Sequence, residues 1–357
     1  MKEIRDIIAQ YDELGHASTP LVLATVFDVK GSSYRRTGAR MLIQHNGNWT
    51  GGISGGCIEG NALKQASLVL MDKKARVVTY DTENDDESSI GVSLGCNGII
   101  SVLFSSIDRH DSLNQIEVLR EVSDHRSQSI LLTIVSTTND KLIPGSTFTS
   151  YNITKYIEDK SIIEDLKKAV IKVKKNSKSL LQEIDGHTFF IEYIPPELNL
   201  IVMGGNYDVY PLLYNSRLLG WKNIVIYNPK RLYEKARSLA DTLNEDFSII
   251  EIDDYTVAVI MSHDYNADLA NLRKALNSEL KYIGLLGPAV RKQDMINSLK
   301  SEGMSVDESR IFGPAGLDIG AAQPDEIAVA IISEIISFIR GRNGQSLRKR
   351  HAPIHDR

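Results

Sequence analysis

The chain of 357 residues contains two cysteines, and both lie in glycine-rich stretches. Cys57 directly follows Gly55 and Gly56, and Cys96 lies in the run 91–98, which contains three glycines. A free cysteine usually behaves as a small buried hydrophobe, whereas glycine lets the backbone turn sharply and approach a bound group. We therefore predict that both thiols are available to contact a ligand.

The surroundings of Cys57 favour an anionic, sulfur-containing ligand. The apolar pattern of Ile58 to Met71 predicts a helix, so Cys57 falls at or near its N-terminus. Unpaired N–H groups and the helix dipole stabilise an anion or a thiolate there. Three arginines upstream would grip oxyanions: Arg35, Arg36 and Arg40. The alternative is a tightly packed turn beside surface arginines.

Glu59 follows Cys57 closely and has two interpretations. Its carboxylate would cap the helix by reaching back to free N–H groups. It would otherwise orient the site or form an ion pair with the upstream arginines.

Pro195-Pro196 marks the predicted boundary between a first domain, 1–195, and a second domain, 198–345. The first domain mixes helices and strands. The second alternates strand and helix, which predicts a Rossmann-like, doubly wound parallel sheet and an α/β fold overall. Its predicted strands are 200–203, 224–227, 249–252, 258–261 and 282–286. Helices are predicted around 162–181, 207–219, 231–243, 264–277, 289–302 and from Pro324. Residues 346–357 form a basic tail that we expect to be flexible.

The second domain carries an imperfect dinucleotide loop. Gly204 and Gly205 follow the first strand, but Asn206 stands where the Gly-x-Gly-x-x-Gly pattern has its second glycine. Asn228 replaces the acid expected to hold ribose hydroxyls, although it still offers a hydrogen bond. The sequence indicates the fold strongly, but it indicates binding of NAD(P) or another nucleotide only weakly.

Other polar positions of this domain follow strands or loops. His263 lies just after the strand 258–261, at the end where open α/β sheets bind ligands. It therefore either contacts a ligand or belongs to a helix cap formed by Asp264. Gly287 and Asp318 would line the same crevice.

Composition excludes several classes of protein. The net charge of −5 argues against nonspecific nucleic-acid binding. No apolar run reaches the roughly 18 residues that span a bilayer, and the N-terminus is not a secretory signal. With only two cysteines, we expect a cytoplasmic protein that acts neither on nucleic acid nor in a membrane.

Several of these runs resemble the XdhC/CoxI family, the accessory factors of xanthine dehydrogenase and related molybdenum hydroxylases. The similar runs are 31–41, 51–59, 94–98, 282–287 and 313–321, together with the helix start 324–328. The resemblance implies a chaperone rather than an enzyme. Such a protein binds and protects molybdenum cofactor, holds it for sulfuration by a cysteine desulfurase, and helps to insert it into the apo-enzyme.

Carried onto this sequence, the resemblance makes Cys57 the first and Cys96 the second candidate for contact with the metal or its sulfido group. A homodimer is also expected. The family usually has glycine at 206, histidine at 207 and aspartate at 228, where this chain has Asn206, Tyr207 and Asn228. Two alternatives stay open: an NAD(P)-dependent oxidoreductase using the second domain, and a protein without catalytic activity that serves only in protein interactions.

Overall fold

The computed structural model describes residues 1–15, 19–31, 33–81 and 98–350. They form two compact units, Met1–Pro196 and Glu197–Arg357. None of the helices in these ranges is long and apolar enough to cross a membrane.

The first unit combines two antiparallel sheets with helices. Its elements are α1 (Lys2–Glu13), β1 (Leu21–Gly31), β2 (Arg40–Gln44), β3 (Trp49–Gly51), α2 (Glu59–Asp72), β4 (Arg76–Asp81), β5 (Gly98–Ile107), α3 (Gln115–Asp124), β6 (Ser129–Ser136), β7 (Thr147–Thr149), α4 (Ile153–Tyr156), α5 (Lys160–Asn176), β8 (Leu180–Ile184) and β9 (His187–Ile194). The strand orders are β3-β2-β1-β5-β4 and β7-β6-β9-β8.

The hairpin of β2 and β3 leads directly into the cysteine loop. Gly51 ends β3 with a φ of +82°. A Cβ atom there would lie 2.3 Å from the carbonyl oxygen of Arg40 on the paired strand. Only glycine permits this close approach, so the loop leaves the sheet at a position where a side chain would not fit.

The predicted helix over 162–181 is wrong at its end. Helix α5 stops at Asn176, and Ser177 takes a left-handed φ of +51°. The chain then forms β8, which pairs with β9. Leu180 and Ile184 face inward on this edge strand. The alternating pattern is short and directly follows the lysine-rich helix, so the sequence did not separate the two elements.

The second unit confirms the predicted doubly wound sheet. Its elements are β10 (Asn199–Met203), α6 (Val209–Leu218), β11 (Lys222–Ile226), α7 (Glu234–Arg237), β12 (Thr242–Asn244), β13 (Thr256–Ile260), α8 (Tyr265–Leu276), β14 (Ile283–Leu285), α9 (Ala289–Ser301), β15 (Ile311–Phe312) and α10 (Pro324–Ile339). The parallel strands lie in the order β12-β11-β10-β13-β14-β15. The order reverses between β10 and β13, which places the switch point of this fold there.

Two element predictions in the second unit are wrong. The predicted helix over 231–243 shrinks to the single turn of α7, and the chain then forms β12 beside β11. Asp241 fixes the start of β12 beside β11, because its carboxylate accepts a hydrogen bond from the backbone N–H of Asn223 at 2.8 Å. Residues 249–252 do not form the predicted strand. Ile249 is mostly exposed, so its apolar side chain did not indicate a buried strand.

Candidate functional site

The loop between β3 and α2, which we call the thiol loop (residues 52–58), presents Cys57 close to a helix start. Helix α2 begins at Glu59 and Ile58 is its N-cap, so Cys57 lies two residues before the helix. Its thiol is free and half-buried. It packs against the apolar core of the first unit, which includes Ile53 and Ile58.

Ser54 organises the thiol loop. Its hydroxyl oxygen accepts hydrogen bonds from the backbone N–H groups of Gly56, Cys57 and Ile58 at 3.1, 3.2 and 3.4 Å. The sulfur of Cys57 lies 3.5 Å from the same oxygen. These N–H groups are therefore satisfied inside the loop. The helix N-cap has no side-chain hydrogen bond in the described structure, so the N–H groups that remain for an anion belong to the first turn of α2.

Glu59 holds Ser54 rather than a ligand. One carboxylate oxygen accepts the backbone N–H of Ser54 at 2.9 Å, and the other accepts its hydroxyl at 2.5 Å. The side chain is buried. Burial and then the negative charge of Glu59 raise the pKa of Tyr80, whose hydroxyl donates to Asn61 at 3.1 Å. Glu59 thus reaches back to a loop N–H before the helix and fixes Ser54, which agrees with orienting the loop, whereas it caps no N–H group of α2 among the described residues.

Sequence reasoning missed Ser54 because its spacing matches no capping box. A capping box places the serine or threonine three residues before the acid, whereas Ser54 precedes Glu59 by five residues. The signal that was available is the buried acid itself, since a buried carboxylate needs hydrogen-bond donors nearby.

The three arginines differ sharply in their surroundings. Arg40 is almost fully buried in an ion pair with Glu192 of β9, and it also donates to the carbonyl of Gly38 at 2.8 Å. Arg35 is paired with Glu3 of α1. We therefore correct the prediction that Arg40 binds a ligand, because its guanidinium is committed to the fold.

Arg36 is the arginine left for a ligand. It is exposed, and within the described ranges no carboxylate pairs with it. Although Arg36 is exposed overall, slight desolvation of its guanidinium lowers its pKa. Burial lowers the pKa of Arg35, and the negative charge of Glu59 opposes that shift.

Tyr34 lies beside the thiol loop and was not predicted. A Cβ atom at Gly55 would lie 3.4 Å from the Tyr34 ring, which is 73% exposed. Gly56 has a φ of +114°, which requires glycine. An exposed aromatic ring and a thiol therefore border one glycine turn.

Cys96 and its neighbour Gly95 lie outside the described residues. Within the ranges that the structure does describe, no group of three or more His, Cys, Asp or Glu side chains could hold a metal ion.

Residues from neighbouring strand ends pack against the two glycines of the dinucleotide loop in the second unit. A Cβ atom at Gly205 would lie 2.1 Å from the Tyr227 ring, so packing explains this glycine. A Cβ atom at Gly204 would likewise lie 2.4 Å from the carbonyl oxygen of Met261. Asn206 donates from Nδ2 to the carbonyl of Ser262 at 3.2 Å. These contacts fit a Rossmann fold whose loop is closed by packing.

Asn228 makes a local turn. Its side-chain oxygen accepts the backbone N–H of Lys230 at 2.9 Å. This Asx turn stabilises the loop after β11, so the hydrogen-bond acceptor of Asn228 is used by the backbone.

A cavity of about 510 Å³, here called the switch-point pocket, opens at the carboxyl ends of β10, β13 and β14. Asp208 and His263 line it, and Oδ2 of Asp208 lies 2.6 Å from Nε2 of His263. Gly287 also lines it, as predicted from the crevice rule. Asp318 is exposed and is absent from its wall. Asp264 caps α8 by accepting the N–H of Ala267 at 2.7 Å.

A second, more open cavity of about 660 Å³ lies against α1 and the β2–β3 hairpin, lined by Gln10, Glu13 and Trp49 among others. Cys57 lines neither cavity. The sulfur is thus presented on a loop beside the helix start.

The sequence matches known proteins in both units. Residues 14–81 match the XdhC and CoxI family, and residues 200–335 match the XdhC Rossmann domain. The chain is 29% identical over 322 residues to a protein of Bacillus subtilis named as a probable component of xanthine dehydrogenase, covering 88% of this chain and 92% of that protein. It is 20% identical over 324 residues to the molybdenum cofactor insertion chaperone PaoD of Escherichia coli, covering 88% and 82%.

A solved structure shares the fold. The crystal structure described as a xanthine dehydrogenase from Bacillus halodurans matches with a TM-score of 0.73 and 28% identity. The match covers 94% of this chain and 96% of that one.

Proposed function

Because the chain belongs to the XdhC/CoxI family, we propose that it is a maturation factor that carries molybdenum cofactor to a molybdenum hydroxylase. The observation that carries this proposal is the free, half-buried thiol of Cys57 at the start of α2. Relatives named as a component of xanthine dehydrogenase and as a cofactor insertion chaperone support the same role.

The thiol loop and the segment 34–36 offer a candidate partner to each end of the cargo. The thiolate of Cys57 is a soft ligand that suits a sulfur-rich metal centre. The exposed Tyr34 ring offers a stacking surface for the flat pterin. Arg36 and the uncapped first turn of α2 would hold the phosphate. Cys96 remains the second candidate for the metal, on the resemblance alone.

The finer steps of the proposal rest on the family resemblance. The chain would protect the cofactor, hold it for sulfuration by a cysteine desulfurase, and insert it into xanthine dehydrogenase or a related hydroxylase. It would act as a homodimer. Of the two alternatives, an NAD(P)-dependent oxidoreductase has less support, because Tyr227 packs on Gly205 and Asn206 occupies the position of the second glycine.

The test measures molybdenum retention. Purified protein is incubated with molybdenum cofactor and desalted, and bound molybdenum is determined by elemental analysis. We expect the unaltered chain to retain the metal and Cys57→Ala to lose it, with unchanged circular dichroism. Met71→Ala, an exposed change on the same helix, serves as the matched control. Equal retention by Cys57→Ala would overturn the role of this thiol.

A further inference from the structure

The switch-point pocket contains a buried hydrogen-bond acceptor that has no partner. Oδ1 of Asp208 is buried and makes no hydrogen bond in the described part of the chain. Its side chain is 12% exposed, and the residue lines the pocket. A buried carboxylate oxygen that lacks a donor is destabilising. A ligand that donates a hydrogen bond would supply the missing partner of this oxygen.

His263 supplies a second acceptor beside the first. A carboxylate only accepts hydrogen bonds, so Nε2 of His263 carries the proton shared with Oδ2 of Asp208. In the neutral imidazole, Nδ1 is then an acceptor. No other residue that the structure describes bonds to the ring, which is 51% exposed. The pair therefore offers two acceptors to a ligand.

The backbone of His263 is strained in a way that suits a binding site. Its φ is +62°, in the left-handed region that non-glycine residues seldom adopt. Such residues persist where the surrounding structure holds them, often at ligand sites. Asp208 follows β10 and His263 follows β13, and these neighbouring strands define the switch point.

The remaining walls favour an uncharged, flat body over a phosphate. Met261, Leu286, Ile327 and Ile331 make much of the lining apolar, and no lysine or arginine is among the lining residues of the described chain. At the start of α10, Glu326 accepts the N–H groups of Ala322 and Gln323 at 2.8 and 3.0 Å, and the Gln323 side chain accepts the backbone N–H of Glu326 in return.

At the start of α6, backbone carbonyls of the preceding loop accept the N–H groups. The N–H groups of Val209 and Tyr210 bond to the carbonyls of Asn206 and Tyr207. Pro211 and Pro324 have no backbone N–H, so few N–H groups at these two described helix starts are left to attract an anion.

We propose that the switch-point pocket binds a neutral, phosphate-free heterocycle of the purine or pterin type, through N–H groups that donate to Asp208 Oδ1 and His263 Nδ1. Pterin and hypoxanthine each carry at least two N–H donors on a flat aromatic ring system. The pocket volume of about 510 Å³ suits a molecule of this size. The proposal goes beyond the cargo-carrying role and does not depend on Cys57.

The experiment titrates the purified full-length chain with three probes. Pterin and NADH are followed by their own fluorescence, and hypoxanthine is followed by competition or calorimetry. We expect pterin, hypoxanthine or both to bind in the micromolar range, and NADH to bind more weakly. Binding of pterin alone identifies a pterin as the ligand of this pocket, and binding of hypoxanthine alone identifies a purine.

Two variants test the acceptors. Asp208→Asn presents an N–H to the ligand's own N–H, so affinity should fall about tenfold or more. His263→Asn keeps a residue that tolerates left-handed backbone and removes the imidazole, and it should also weaken binding. Asp318→Asn is the matched control, since this exposed acid lies outside the pocket wall and should bind normally. Thermal melting by circular dichroism verifies folding.

Three outcomes overturn the proposal: neither heterocycle binds at millimolar concentration, Asp208→Asn binds them as well as the unaltered chain, or NADH binds tightest through Asp208. Cys57→Ala separates this proposal from the carrier role, because it should lose molybdenum and keep its heterocycle affinity.

Discussion

The thiol loop and the switch-point pocket differ in whether their polar groups are satisfied by hydrogen bonds. In the thiol loop, Ser54 takes three backbone N–H groups and Glu59 takes both donors of Ser54. In the pocket, Oδ1 of Asp208 is left without a partner among the described residues. The hydrogen-bond network of the thiol loop is therefore complete without a ligand and presents a sulfur atom. The network of the pocket lacks one donor.

This contrast predicts how substitutions separate stability from binding. A complete network should lose stability when a member is removed, because buried groups lose their partners. An incomplete one should lose ligand affinity with little change in stability. Four sets of variants test how far stability and binding separate, and the largest effect is expected at Arg40.

Arg40→Met should destabilise the first unit most. It leaves the Glu192 carboxylate buried without its ion pair, and breaking such a pair costs about 3–5 kcal/mol. Urea denaturation measures the change in the free energy of unfolding. The double variant Arg40→Met/Glu192→Leu should recover much of the loss. If the free energy of unfolding of Arg40→Met lies within about 1 kcal/mol of that of the unaltered chain, the pair does not support the fold.

Ser54→Ala should destabilise the chain and disturb the sulfur together. Three N–H groups lose their acceptor, which should cost about 1–3 kcal/mol. Because the loop then loosens, Cys57 should react faster with a thiol reagent and retain less molybdenum. Ser67→Ala is the control, since Ser67 only donates to its own helix. Unchanged thiol reactivity would argue against Ser54 as the organiser.

Arg36→Gln and Arg35→Gln form a matched pair. Arg36 has no carboxylate partner in the described structure, so its loss should weaken cofactor binding by about threefold to tenfold. Arg35 is held by Glu3, so its loss should matter less. Retention at increasing salt should fall for the unaltered chain and change little for Arg36→Gln. Equal effects of both variants would remove the distinction between the two arginines.

Glu326→Gln should give the smallest effect. Hydrogen bonds from the N–H groups of Ala322 and Gln323 lower the pKa of Glu326. A lowered pKa in the folded state means that the stabilisation is present above the ordinary glutamate value, about 4.3, and disappears as pH falls through the lower folded value. The variant should melt slightly lower at pH 7, and the difference should close in strong acid. A difference that grows in acid would contradict this assignment.

Much of the fold follows from local pattern. Alternating buried strands and helices after Pro196 predict the parallel sheet, which the structure confirms. Predictions fail where local pattern conflicts with tertiary contacts. Residues 231–243 look helical, but pairing with β11 turns part of them into β12.

The sites are harder to predict because their partners are distant in sequence. The Cys57 loop is visible from glycine spacing, whereas the burial of Arg40 depends on Glu192, which is 152 residues away. His263 is predictable from the end of β13, but its partner Asp208 is brought close only because β10 and β13 are neighbours. Topology, more than residue type, decides which polar groups meet.

The most direct test of the carrier role is X-ray absorption at the molybdenum edge of the cofactor-loaded chain. Coordination by Cys57 predicts one more sulfur neighbour around the metal than in the free cofactor, and the loss of that neighbour in Cys57→Ala reconstituted at equal molybdenum content. Identical metal environments in both proteins would contradict the claim that this thiol holds the cargo.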